Sequence, residues 1–209
     1  IFPLSTTLDS VGPLAPSLAC CALVDAVFAG EDPNPRPQVP LAGLRFGVPD
    51  TMVTDDLDPE VAAAFEKSLG LLSKAGVLIC VPPIRRSAMR GTQMSGADYY
   101  DVLRFREDLI ERSARVTRNY DAIVMPTIPV IAPPIAQFEG SDEALRDPFI
   151  IVIRNASIAN LLERCALSIP CHTKGEAPVG FMLMGEGMRD HRLAAIGLSV
   201  EQLLNPNIL

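Results

Sequence analysis

Residues 58–81, DPEVAAAFEKSLGLLSKAGVLICV, decide the fold class of this chain. Asp58 is placed to cap a helix, Pro59 suits its first position, and Glu60 sits near the positive end of the helix dipole. Val61, Phe65, Leu69 and Leu72 recur at helical spacing, so one stripe faces a core. Gly76 then fits just beyond the C-terminus, where glycine readily takes the left-handed conformation. Val77 to Val81 is a short apolar run with strand-forming residues, and Pro82 and Pro83 break it. Upstream, Leu44-Arg45-Phe46-Gly47-Val48 reads as another short strand. Strand, helix and strand over this length make a parallel β-α-β unit.

The pattern continues outward in both directions. Gly96 to Arg118 is helical, with Tyr99, Val102, Leu109 and Val116 near one face. Tyr120 to Pro126 reads as a buried strand. Thr127 to Pro134, with Pro129, Pro133 and Pro134, cannot be helix. Asn155 or Ser157 is placed to cap a short helix reaching Arg164. Ala166–Pro170 and Val179–Met184 are two more strands, and Arg189–Leu204 is a final amphipathic helix. Towards the start, Ser17 caps a helix to about Phe28 that Gly30 stops. Asp25 is its only charge, which predicts burial on most sides. A polar, proline-rich linker follows from Glu31 to Pro40. Strands alternate with helices throughout, so the expectation is an α/β architecture with a mixed or mostly parallel sheet.

Composition narrows the function classes. The chain has 209 residues, 48% of them apolar, enough for one well-packed core. Its net charge is −7, and only Lys67, Lys74 and Lys174 are lysines. That argues against a broad nucleic-acid surface, which needs clustered basic residues, and no nucleic-acid partner is expected. No apolar run approaches the length that crosses a bilayer, so no membrane partner is expected. The five cysteines are odd in number, and Cys20 and Cys21 are adjacent. They read as buried thiols of a reducing compartment, with the cytoplasm as the expected location. Two histidines and scattered cysteines lack metal-ligand spacing, and neither metal nor cofactor is expected. Cys171 and His172 are adjacent, but neighbours on a strand point to opposite faces, which argues against a thiol–imidazole pair.

Four blocks carry a resemblance to a known family. They are Pro3 to Pro13 (Pro-Leu-Ser-Thr-Thr-Leu-Asp-Ser-Val-Gly-Pro), Ala97-Asp98-Tyr99-Tyr100, Tyr120 to Thr127 running on to Pro134, and Asn155 through Ala166–Cys171 to Gly185. In order and spacing they resemble the C-terminal half of an amidase signature hydrolase. The resemblance implies an α/β/α fold around a mixed sheet, of which residues 1–209 are a single partial domain. It implies hydrolysis of a small-molecule carboxamide through an acyl-enzyme, using a Ser nucleophile, a second Ser and a Lys. None of these three can be placed here. No Gly-Gly-Ser or Gly-Ser-Ser-Gly-Gly run occurs, Lys67 and Lys74 fall on a solvated helix face, and Lys174 lies in a polar turn.

The expectation is therefore that the catalytic residues lie upstream and that this chain alone is inactive. It would then self-associate or pack against an N-terminal partner segment. The alternatives are a non-catalytic remnant with a binding role, or part of an A-type subunit of a tRNA-dependent amidotransferase. From the resemblance, Thr127, Arg154 and Asn155 are the candidate substrate contacts, bordering the acyl pocket. Asp9 reads as a turn residue rather than a catalytic one.

Two departures from the family pattern stand out. A few dozen residues common in the family are missing near 82–90. Pro16 and Cys20 also stand where the family commonly has Arg and Asp, four residues apart, which suggests an ion pair replaced by apolar packing. On that view Cys20→Asp destabilises.

Overall fold

The computed structural model describes residues 5, 7–82, 95–138 and 150–206. The expected gap or deletion near 82–90 falls on residues outside these, Pro82 excepted, as do Pro3, Leu4 and Thr6 of the opening block. The elements include, in chain order, α1 (Leu18–Phe28), β1 (Arg45–Gly47), α2 (Pro59–Lys74), β2 (Leu78–Cys80), α3 (Gly96–Thr117), β3 (Ala122–Pro126), a 3-10 turn (Ile135–Phe138), α4 (Ala156–Leu161), β4 (Ala166–Pro170), β5 (Gly180–Met184) and α5 (Asp190–Leu204). The strands form one sheet in the order β2-β1-β3-β5-β4. β1 runs parallel to β2 and to β3, whereas β5 is antiparallel to both β3 and β4. The mixed sheet and the β-α-β unit are as the sequence leads one to expect.

Alternation along the strands divides the core into two layers. Phe46, Ala122, Val124, Ile169, Phe181 and Leu183 face α2 and α5, and Phe65 of α2 sets its ring 5.3 Å from that of Phe181. On the other face, Ile123, Met125, Met182 and Met184 pack against Ala159 of α4 and against Val53. Helices thus lie on both faces, which gives an α/β/α arrangement. All five residues of β3 are buried, because this strand is central and covered on both sides.

Four local expectations are corrected. Asp58 precedes α2 as foreseen but its carboxylate caps nothing there. It accepts instead from the Ile131 N–H at 2.9 Å, while its own N–H donates to the Pro129 carbonyl at 2.9 Å. Helix α1 buries only Leu18, Ala22 and Ala26, and Val27 and Phe28 stay 59% and 57% exposed. Its buried stripe meets α5, and no described residue covers the rest. Cys20 lies on the exposed side, so no apolar packing replaces the family's charges there. Helix α3 begins with a capping box between Ser95 and Asp98, yet Thr117 is its one buried residue and Tyr99 is 54% exposed.

Helices α1 and α5 are joined at their ends. Ser17 caps α1 by accepting from the Cys20 N–H. The buried Glu201 carboxylate of α5 accepts from the Leu18 N–H at 2.8 Å. A carboxylate at that point also meets the positive end of the α1 dipole.

Candidate functional site

The proline-rich segment after β3 is fixed by its neighbours rather than by regular structure. Thr127 extends the ladder, donating its N–H to the Gly180 carbonyl at 2.8 Å. One residue earlier, the Pro126 carbonyl accepts from Asn155 Nδ2 at 2.9 Å. Asp58 holds Pro129 and Ile131 from the α2 side. The segment therefore starts from a rigid strand end and cannot swing freely.

Asn155 and Arg154 form the bracket behind it. Asn155 is 0% exposed. Both hydrogens of its amide are used, one on Pro126 O and one on Val53 O at 3.0 Å. Its Oδ1 accepts from Arg154 Nε at 3.1 Å, and Arg154 Nη2 donates to the Asp55 carbonyl at 2.7 Å. Asn155 lies before α4 with helical backbone angles, and its side chain does not cap that helix. Its polar hydrogens are committed to the backbone of two other segments. Of the three expected contacts, Asn155 is thus a buried bracket and no donor to a ligand. Half-buried Arg154 shares that bracket, and half-buried Thr127 stands at the strand end they support.

The Thr127 side chain finds a partner that the sequence did not announce. Its Oγ1 lies 2.6 Å from Oγ of Ser168, on β4 across β5. Gly180 lies between them: a Cβ there would sit 2.6 Å from both hydroxyl oxygens. The pair can close only because residue 180 has no side chain. In Ala166 to Pro170, Leu167 and Ile169 turn to the α2/α5 layer. Period-2 alternation then sends Ser168 to the opposite face, where it is exposed. That alternation, read together with the glycine opening β5, was the available signal for Ser168.

The remaining candidates resolve as structural. Burial pushes the Cys171 thiol up to about 11, against smaller opposing effects of Ser68 and Lys67. His172 accepts from the Val179 N–H through Nδ1 at 3.3 Å. A protonated, buried thiol beside an imidazole so engaged is no activated nucleophile. Asp9 Oδ1 accepts from the Ser5 N–H at 2.9 Å, a turn bond reaching upstream. Lys67 and Lys74 are exposed, and Lys67 Nζ meets Thr173 Oγ1 at 3.2 Å. No group of metal-ligating side chains occurs among the described residues, and no helix among them is long and apolar enough to cross a membrane.

Known proteins share this arrangement. An amidase solved by crystallography superposes with a TM-score of 0.76 at 24% identity, covering 97% of this chain and 55% of its own. The A-type subunit of glutamyl-tRNA(Gln) amidotransferase from Thermotoga maritima gives 0.72 at 20%, covering 95% and 53%. These likenesses show the fold. In sequence, the indoleacetamide hydrolase of Rhizobium radiobacter is 29% identical over 264 residues, covering 98% of this chain and 56% of that protein. The chain spans about half the length of the curated relatives it matches. A family model described as Amidase matches residues 80–194, from β2 through β3 and the Asn155 bracket into α5. That stretch is more than half of the chain and takes in Thr127, Arg154, Asn155, Ser168 and Gly180, so the chain belongs to the amidase family.

Proposed function

We propose that the whole protein hydrolyses the C–N bond of a small carboxamide through an acyl-enzyme. In this reading the Ser, Ser and Lys of the reaction come from residues outside these 209. The chain contributes part of the sheet and the wall of the acyl pocket: Thr127 at the end of β3, with Arg154 and Asn155 as the bracket behind it. The observation that carries the proposal is the Amidase match across residues 80–194. The indoleacetamide hydrolase likeness, spread over nearly the entire chain, supports an aryl acetamide as the first substrate to try. The net charge of −7 and the scarcity of lysine speak against a partner as anionic as tRNA.

The test is ammonia release from indole-3-acetamide and benzamide by the full-length protein and by the 209-residue chain separately. Turnover is expected from the first and none above background from the second. Serine-directed turnover by the chain alone would overthrow the assignment of catalysis to other residues. An inactive full-length protein would favour a non-catalytic relative. The exposed side of α1 would be covered in the whole protein, so the chain on its own is expected to self-associate. Light scattering that finds a monomer at high concentration would contradict this.

A further inference from the structure

The face of β4 that carries Ser168 is open. Ala166, Ser168 and Pro170 are all exposed there, although the rest of that face is packed under α4 and Val53. Ser168 Oγ has one hydrogen-bond partner among the described residues, the Thr127 hydroxyl at 2.6 Å. A serine hydroxyl has one hydrogen to give and two lone pairs. Whichever hydroxyl donates within the pair, Ser168 keeps unused capacity towards the open side. If Thr127 donates, Ser168 retains its hydrogen and a lone pair. If Ser168 donates, both its lone pairs remain.

Ser168 is held in the β4–β5 ladder opposite Met182, and half-buried Thr127 is held as well. Its N–H is bonded to Gly180 O, and the preceding carbonyl is bonded to the buried Asn155. The threonine hydroxyl therefore fixes where the serine hydroxyl points. A fixed, uncharged group able to give or accept a hydrogen bond suits a neutral polar group that also does both.

We propose that Thr127 and Ser168 form a paired-hydroxyl subsite that holds a neutral polar group of the substrate, such as a carboxamide, with Ser168 making the contact and Thr127 positioning it. This rests on the amide-hydrolase reading above, and Ser168 lies outside the residues assigned to it there. Gly180 is the third member, since it leaves room for the two hydroxyls to meet.

The experiment is steady-state hydrolysis of indole-3-acetamide by the full-length protein and its Ser168→Ala, Thr127→Val, Thr127→Ser and Gly180→Ala variants, with urea unfolding in parallel. Ser168→Ala should raise KM about five-fold, the worth of one neutral hydrogen bond, with kcat little changed. Thr127→Val and Gly180→Ala should do the same, the latter without removing a hydroxyl. Thr127→Ser should behave like the parent. Combining Ser168→Ala with Thr127→Val should cost little beyond either alone, because the two act as one unit. An unchanged KM in Ser168→Ala overturns the proposal, whether or not the urea midpoint falls. A parent protein without amide turnover removes the hydrolase reading, and this inference goes with it.

Discussion

Replacing Asn155 with alanine removes a side chain that joins three separate stretches of backbone. Two buried carbonyls, Val53 O and Pro126 O, lose their amide donors, and Arg154 Nε loses its acceptor. Each buried polar group left unsatisfied costs about 1–3 kcal/mol. With the residue at 0% exposure, water reaches the site only by opening it. Some relaxation and partial hydration are to be expected, so the net loss should be about 3–5 kcal/mol. For a domain of this size each kcal/mol moves the melting temperature by about 2–4 °C, which predicts a fall of about 10 °C. Asn155→Asp should be pH-dependent in a definite direction. A carboxyl facing two carbonyls is held in its protonated form, so its folded-state pKa is raised. The native state then binds more protons than the unfolded state, and stability falls as pH rises above about 4. Urea unfolding of the full-length protein followed by circular dichroism measures both. A loss below about 1 kcal/mol for Asn155→Ala would refute the bracket argument, since that is what one ordinary surface bond is worth.

Glu201→Ala should cost about 1.5–3 kcal/mol in urea unfolding, because the Leu18 N–H loses a charged acceptor; an equal loss in Glu201→Gln, which keeps an acceptor, would show that the bond is not the cause. Cys20→Asp should be neutral or stabilise by up to about 1 kcal/mol, since the third residue of α1 is exposed and near the positive dipole end; a lower melting temperature would restore the packing argument. At pH 8 an alkylating agent should label Cys20 well before Cys171, which should react only on unfolding. Because the folded state holds the Cys171 proton from about 9 to about 11, stability should fall with rising pH across that window, and Cys171→Val should lose that part of the slope.

The elements were legible because each has its own local cause. The Pro59 start and the stripe from Val61 to Leu72 predict α2 within a residue or two. The apolar run after Tyr120 and the Pro126 stop give β3. Long-range partners were not legible. Asp58 looks like a helix cap from its neighbours alone, but its carboxylate accepts from the Ile131 N–H in the proline-rich segment 73 residues on. Asn155 looked like a cap or a ligand contact for the same reason, and its true partners, the carbonyls of Val53 and of Pro126 at the end of β3, lie 102 and 29 residues away. The hydroxyl pair depends on two strands meeting across a third, which no local pattern encodes. The apolar make-up of α1 pointed to burial, and the described residues account for one side of it only.

The Glu201–Leu18 bond joins residues 183 positions apart and brings the first helix against the last. Contacts of such separation form late, because closing the intervening loop comes before any gain from the contact. During synthesis at about 5–20 residues per second, α1 waits roughly 10–40 seconds for α5 to be made. Throughout that interval the apolar side of α1 that later meets α5 has no native partner, and a holding chaperone would find its binding segment there. The same long reach makes α5 a latch. Cleavage before Glu201 would remove the carboxylate that accepts from the Leu18 N–H, a loosening felt 183 residues away with the strand order left intact.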